Sequence, residues 1–264
     1  MTRHILAISS QVAYGPVGNS AAVPALQAAG FSVVQIPTIV LSNHPGHGKP
    51  AGLRLPATDI AAILEKLQEL GVLDNCVGVM TGYFTAADQA AVAAAFIQKM
   101  QQKNPRLYVL VDPVLGDDDS LYVPQDVAAA IRDGLLPLAN CITPNCFELA
   151  WLAGKPVATK AEALSAAAAL GIDEVLATSI PVAGGSLATL AISKNGCAES
   201  IASIKPSVPH GTGDFLAGLY LSHRLRGFDS NQALRLSSAI LETAISRSLG
   251  LPYLDIIGTL YKPS

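Results

Sequence analysis

Residues 209–218 read Pro-His-Gly-Thr-Gly-Asp-Phe-Leu-Ala-Gly, two glycines around a threonine, then an aspartate, then an apolar run of helical character. The backbone N–H groups at a helix start, aided by the helix dipole, attract an anion. Gly211 and Gly213 let the backbone approach that anion without a Cβ in the way. Asp214 falls on the first helical turn beside it. A carboxylate there can take the proton of a hydroxyl that attacks a phosphorus atom. The ordinary alternative is a glycine turn with Asp214 as a routine helix-start residue.

Four further clusters could do chemistry. Asp112-Pro113-Val114-Leu115-Gly116-Asp117-Asp118-Asp119 follows an apolar run at 107–111. Carboxylates at a strand end suit Mg²⁺, a hard cation with oxygen ligands that keeps several waters. Asp112 and Asp117 are the candidates, whereas Asp118 and Asp119 read as a solvated acidic loop. Thr143-Pro144-Asn145-Cys146-Phe147-Glu148 opens a helix. Asn145 is a natural cap with Glu148 three residues on, and Glu148 either completes that cap or faces the same cleft and holds a metal-bound water. Ser9 and Ser10 put small hydroxyls at the end of the first strand. In the polar segment 42–56, His44 and His47 lack a third metal ligand at suitable spacing. They read instead as the rim of a small-molecule site.

The elements that must position these groups alternate along the whole chain. Strands are expected at 5–9, 33–41, 77–80, 107–111, 141–142 and 175–178. Helices are expected at 19–30 with Asn19-Ser20 as cap, at 58–71 with Thr58 as cap, and at 86–103, 145–153, 214–226 and 230–249. A capping box, Thr159 with Glu162, begins another. Residues 187–193 and 198–204 form an antiparallel pair around Asn195-Gly196. Pro37 marks the second strand as an edge or a bulge. The pattern predicts an α/β fold, a mostly parallel central sheet with helices on both faces, in one domain over residues 1–264. Ligands of such sheets bind at the carboxyl ends of the strands, where Ser9-Ser10, Thr81-Gly82-Tyr83, Asp112, Thr143-Pro144-Asn145 and Thr178-Ser179 fall.

Bulk properties narrow the classes. The 264 residues are 50% apolar and 14% charged, with a net charge of −3. There is no basic stripe for nucleic acid. No apolar run approaches the roughly 18 residues of a membrane span. The apolar part of the N-terminus is short for a signal peptide and reads as a strand. Cys76, Cys141, Cys146 and Cys197 form no CxxC pair, which favours free thiols and a cytoplasmic setting. A P-loop string and a GxGxxG turn are both absent, so any nucleotide phosphates must rest on the Gly211–Gly213 turn.

Taken together, the motifs resemble the pyridoxal kinases of the ribokinase-like superfamily over nearly the whole chain. The match lies in Ser10-Gln11-Val12-Ala13-Tyr14-Gly15 through Gly18-Asn19-Ser20-Ala21-Ala22, in Leu41-Ser42-Asn43-His44, in Asp112 to Asp117 and in Gly211-Thr212-Gly213-Asp214. The resemblance implies transfer of the ATP γ-phosphoryl group to the 5′-hydroxyl of pyridoxal. Asp214 is then the base, and Gly211, Thr212 and Gly213 form the anion hole. Ser10, His44, His47 and Tyr83 lie on the substrate side. Asp112, Asp117 and Glu148 attend Mg²⁺ and the phosphates. Tyr122, Thr143, Asn145, Thr178, Ser179 and Thr212 line the nucleotide side with Asp112 and Asp117. ATP and Mg²⁺ are implied, with a monovalent cation as an open addition, in a cytoplasmic homodimer. Many members carry a threonine after the Ser-Asn-His string, whereas this chain has Pro45, which leaves His44 and His47 as its replacements. Rival readings are a hydroxymethylpyrimidine kinase of the same fold, a sugar kinase, and a non-catalytic relative that binds pyridoxal phosphate. An intact Asp214 argues against the last, since a carrier needs no base.

Overall fold

The computed structural model describes residues 3–117 and 120–261. In chain order the elements are β1 (His4–Tyr14), α1 (Asn19–Ala28), β2 (Ser32–Asn43), β3 (Gly52–Arg54), α2 (Ala57–Glu69), β4 (Cys76–Thr81), α3 (Ala87–Lys103) and β5 (Tyr108–Val111). The short strands β6 (Gly116–Asp117) and β7 (Ser120–Leu121) follow, then α4 (Gln125–Ala130), β8 (Cys141–Ile142), α5 (Cys146–Ala153) and α6 (Lys160–Leu170). The chain continues through β9 (Glu174–Val182), β10 (Ser186–Ser193), β11 (Gly196–Ser203), α7 (Thr212–Leu225), α8 (Ser230–Ser248) and α9 (Ile256–Leu260). Among the described residues the main sheet runs β11-β10-β9-β8-β5-β4-β1-β2-β3. The pairs from β9 across to β2 are parallel, and β3, β10 and β11 add antiparallel at the margins.

Strand alternation divides the core. Leu6, Ile8, Val79, Val109, Val111 and Val175 pack on one face with residues of α2 to α6. Ile5, Met80, Leu110 and Leu176 pack on the other with α1, α7 and α8. A strand buried on both faces reads as a continuous apolar run, which is why residues 5–8 show no polar position. At the amino end of β9 the buried Glu174 is paired with Arg224 at 2.9 Å and accepts a hydrogen bond from the Tyr220 hydroxyl. No helix among the described residues is long and apolar enough to cross a membrane.

Several elements depart from the expected ones. β1 and β2 run on well past residues 9 and 41, so Ser9 and Ser10 lie within a strand. Pro37 is at a bulge, as expected, and β3 pairs only with residues 39–41 of β2. The register partner of Pro37 is Ser9, and the pairing then slips before Gln11. The segment 42–56 is not a plain loop, because it holds a 3₁₀ turn at Pro45–His47 and the edge strand β3. Neither Asn19 nor Thr58 caps its helix. Gly18 and Pro56 stand at those positions, and Asn19 donates instead to the carbonyl of Ser9. At α6 Thr159 accepts from Glu162 N–H as expected, while the Glu162 carboxylate takes Ala158 N–H, one residue outside a reciprocal box. The helical stretch from α4 through Leu138, and α9, carried no clear periodic signal. Asp118 and Asp119 lie outside the described residues.

A buried amide ties the outer strands to the body. Gln89 of α3 donates to the carbonyls of Thr38 and Leu55, at 2.9 and 2.6 Å, and accepts from Thr85 N–H and its hydroxyl. Removing it leaves Thr85 N–H and the Leu55 carbonyl without this partner, each worth about 1–3 kcal/mol when unpaired, while the Thr38 carbonyl keeps only Leu55 N–H. Gln89→Leu should therefore lower the urea-unfolding free energy by at least about 2 kcal/mol. A variant within 0.5 kcal/mol of wild type, on the order of experimental error, would show that the tie carries no load.

Candidate functional site

The site gathers at the carboxyl ends of β1, β4, β5, β8 and β9. Gly211 is the residue before α7 and has φ 95, a left-handed backbone that favours glycine. A Cβ there would also collide with the carbonyl oxygen of Pro16. No side chain caps α7, so the first N–H groups of the helix remain free for a ligand. Asp214 stands in that first turn. The backbone N–H groups of Gly18 and of Asp214 itself lie near its carboxylate and favour the charged form. Burial nevertheless pushes its pKa up to about 6.

Gly18 joins two candidate residues. It has φ 57, and its α-carbon lies so close to the Ser10 hydroxyl and carbonyl that no side chain fits. The same residue's N–H reaches Asp214. Ser10, 5% exposed, is thereby set beside the α7 turn by a glycine that sequence reasoning recorded only as part of a motif.

A second cluster fixes the acids. Asp112 is 7% exposed and accepts from the Thr143 hydroxyl at 2.9 Å. Burial, then the negative charges of Asp214 and Glu148, raise its pKa well above the usual carboxylate range. Glu148 forms the reciprocal cap of α5, with Asn145 N–H on Oε2 at 2.8 Å and Glu148 N–H on the Asn145 side chain at 2.8 Å. Its Oε1 accepts from Leu115 N–H at 2.7 Å. Those bonds favour the charged form, yet burial outweighs them and the pKa rises to about 7. Glu148 therefore caps α5 and, from the same position, faces Asp112. The backbone turns toward it at Val114, which adopts φ 48, a costly conformation for a β-branched residue. Nothing in the residue type signals that turn. Asp117 is exposed in β6, near enough for its charge to act on Glu148.

Between β8 and β9, Asn145 donates to the Gly116 carbonyl at 2.8 Å, and Thr178 N–H donates to the Pro144 carbonyl at 2.9 Å. Ser179 follows with φ 57, and Tyr122, 56% exposed, lies within the field of the acids. On the other side, Tyr83 N–H donates to the Ser9 hydroxyl at 3.1 Å. The histidines sit apart from Ser10 in a rim cluster. His44 stacks on His210 at 4.1 Å, and His47 lies 5.3 Å from the Tyr14 ring. His210 was missed, although it directly precedes the glycine turn. Burial, with the charges of His210 and His47, lowers His44 to about 4, so its ring is neutral at physiological pH.

The acids suit a hard cation by chemistry, since Asp112 and Glu148 are buried, Asp214 is half-buried and, among the described residues, none of the ion pairs involves the three. No three metal-binding side chains among the described residues converge on a common point. A divalent ion here would complete its shell with water and phosphate oxygens.

The sequence pattern of the phosphomethylpyrimidine kinase family matches residues 22–254. A pyridoxal kinase of Deinococcus radiodurans is 37% identical over 255 residues, spanning 91% of this chain and 85% of that one. A pyridoxine/pyridoxal/pyridoxamine kinase of Bordetella avium is 35% identical over 249 residues, 92% of this chain and 84% of the relative. Among solved structures, pyridoxal kinase from Leishmania donovani in complex with ADP and pyridoxamine superposes with a TM-score of 0.91 at 28% identity, covering 99% and 97% of the two chains.

A carboxyl group whose folded pKa of about 6 exceeds the ordinary 3.8 stabilises the fold fully below pH 3.8 and loses that contribution as pH rises through 6. Asp214→Asn removes the penalty carried by the charged form. The apo variant should melt above wild type at pH 8, with the gap closing at pH 5. Equal melting temperatures at pH 8 would contradict the burial of this charge.

Proposed function

Since the chain belongs to the phosphomethylpyrimidine kinase family, and relatives above 30% identity are pyridoxal kinases, we propose that its site transfers the γ-phosphoryl group of ATP to the 5′-hydroxyl of pyridoxal. The observation that carries this reading is the raised, glycine-framed carboxylate of Asp214 beside the free N–H groups of α7. Asp214, with its pKa near 6, is deprotonated at neutral pH and close enough to it to accept a proton well. It takes the hydroxyl proton as the oxygen attacks phosphorus. The backbone of Gly211, Thr212 and Gly213 holds the transferred phosphoryl oxygens through N–H groups and the helix dipole. Little covalent chemistry is asked of the protein, so position and charge supply most of the rate.

On the acceptor side, Ser10 hydrogen-bonds the pyridine ring, and Tyr83, His44 and His47 close over it. On the nucleotide side, Thr143, Asn145, Thr178, Ser179, Tyr122 and Thr212 line the channel. Mg²⁺, when bound, neutralises phosphate charge, and Asp112, Asp117 and Glu148 are the residues that would hold it, in part through waters. Glu148 keeps lone pairs for this beyond its backbone bonds. A cytoplasmic homodimer completes the proposal on the strength of the resemblance, and sedimentation at a single 27.3 kDa mass would remove that part.

Asp214→Asn keeps the shape and removes the basicity. A positioned base contributes roughly 10²–10⁴ in rate, so kcat should fall by about that factor with the ATP KM nearly unchanged. Retention of more than a third of wild-type kcat would sink the assignment. Pyridoxal and hydroxymethylpyrimidine compared in the same ATP-coupled assay decide the acceptor. A higher kcat/KM for hydroxymethylpyrimidine would replace pyridoxal as substrate while leaving the mechanism in place.

A further inference from the structure

Three loops make the rim of the site, and each contains a glycine against which the next loop is seated. A Cβ on Gly15, after β1, would stand 2.9 Å from Nε2 of His47. A Cβ on Gly46, in the turn after β2, would stand 2.8 Å from Nε2 of His210. A Cβ on Gly211, before α7, would run into the Pro16 carbonyl, back in the first loop. The contacts therefore close a ring from first loop to second, second to third, and third to first. Ordinary Cβ contacts are longer, so a side chain at Gly15 or Gly46 would displace a histidine ring, and one at Gly211 would displace backbone.

Aromatic packing reinforces one side of this ring. The His44 and His210 rings stack with centroids 4.1 Å apart and planes at 34°. His44 is held in place by accepting Gly46 N–H on Nδ1 at 3.1 Å. His47 lies edge-on to His44 at 6.4 Å and against Tyr14 at 5.3 Å. With His44 held neutral by burial, the stack carries no like-charge repulsion at physiological pH.

The ring joins two halves of one reaction centre. The turn 44–48 belongs to the acceptor side and 211–213 to the phosphoryl side. Ordering of a segment by one ligand need not be repeated for a second, which makes two ligands mutually favourable without direct contact. We propose that His210 is a positioning residue that ties the acceptor-side turn to the anion-binding turn, so that acceptor and nucleotide each tighten the binding of the other. This rests on the kinase reading given above.

The test is a binding cycle by calorimetry on the intact protein with Mg²⁺. The dissociation constant of the non-hydrolysable analogue AMP-PNP is measured with and without saturating pyridoxal. Coupling free energies of this kind correspond to about 5–150-fold, and wild type should show a ratio of at least 5. His210→Ala should bring the ratio below about 2, while His210→Phe, which keeps a flat ring on His44, should preserve it. Gly46→Ala reaches the same contact from the opposite loop. Its added methyl pushes His210 away, and the ratio should fall likewise, which keeps the test available if His210→Ala does not fold. A wild-type ratio near 1 with both ligands bound would overturn the coupling and leave the kinase reading intact. So would wild-type coupling in both His210→Ala and Gly46→Ala, or equal loss in His210→Ala and His210→Phe. Failure of pyridoxal to bind wild type at all would remove pyridoxal as the acceptor, and the coupling proposal with it.

Discussion

Burial of like charge is the constraint around which the carboxyl end of the sheet is arranged. Asp112, Glu148 and Asp214 are all drawn from water, and each titrates above its ordinary range. The fold does know how to neutralise a buried acid. At the amino end of β9 it gives Glu174 an arginine and a tyrosine hydroxyl. At the carboxyl ends it supplies only N–H groups and the Thr143 hydroxyl. Those bonds hold the acids in place without removing their charge, and an uncompensated buried charge is costly. Such an arrangement favours ligands that bring positive charge or give up a proton.

The same economy of side chains explains the glycines. Gly18 lets the Ser10 hydroxyl and carbonyl come close to its backbone, and Gly211 brings the α7 turn onto the Pro16 carbonyl. A phosphoryl group approaching this turn meets backbone N–H groups on rigid elements rather than flexible side chains, which is the preorganised form of electrostatic stabilisation. Val114 contributes in a different manner. Its left-handed backbone turns Leu115 N–H toward Glu148, and the capped start of α5 holds that turn in place. Strain of this sort persists where the surrounding bonds over-determine it.

Much of this was legible in the residues. Period-two and helical patterns placed most strands and helices, and the Asn145–Glu148 spacing marked a reciprocal cap that the structure contains. Gly211 and Asp214 marked the uncapped start of α7 by type and order. What escaped was tertiary. The segment 42–56 is rich in proline and glycine, yet β2 lends it an edge to pair with, and β3 forms there. Asn19 has the type of a cap, but the close approach of Gly18 to Ser10 puts Gly18 at that position. Gln89 sits in an alanine-rich helix with nothing local to show that its amide faces four buried groups from three segments. His210 lay beside the chief motif, and only the fold reveals the ring of His44 stacked on it.

The central claim is that the site holds Asp214 as a carboxylate poised near neutrality before any ligand arrives. ¹³C-detected NMR titration of aspartate side-chain carboxyls in the apo protein, with Asp214→Asn used to assign the resonance, measures this directly. The account predicts a midpoint for Asp214 of about 6. A midpoint at the ordinary aspartate value, about 3.9, would contradict it.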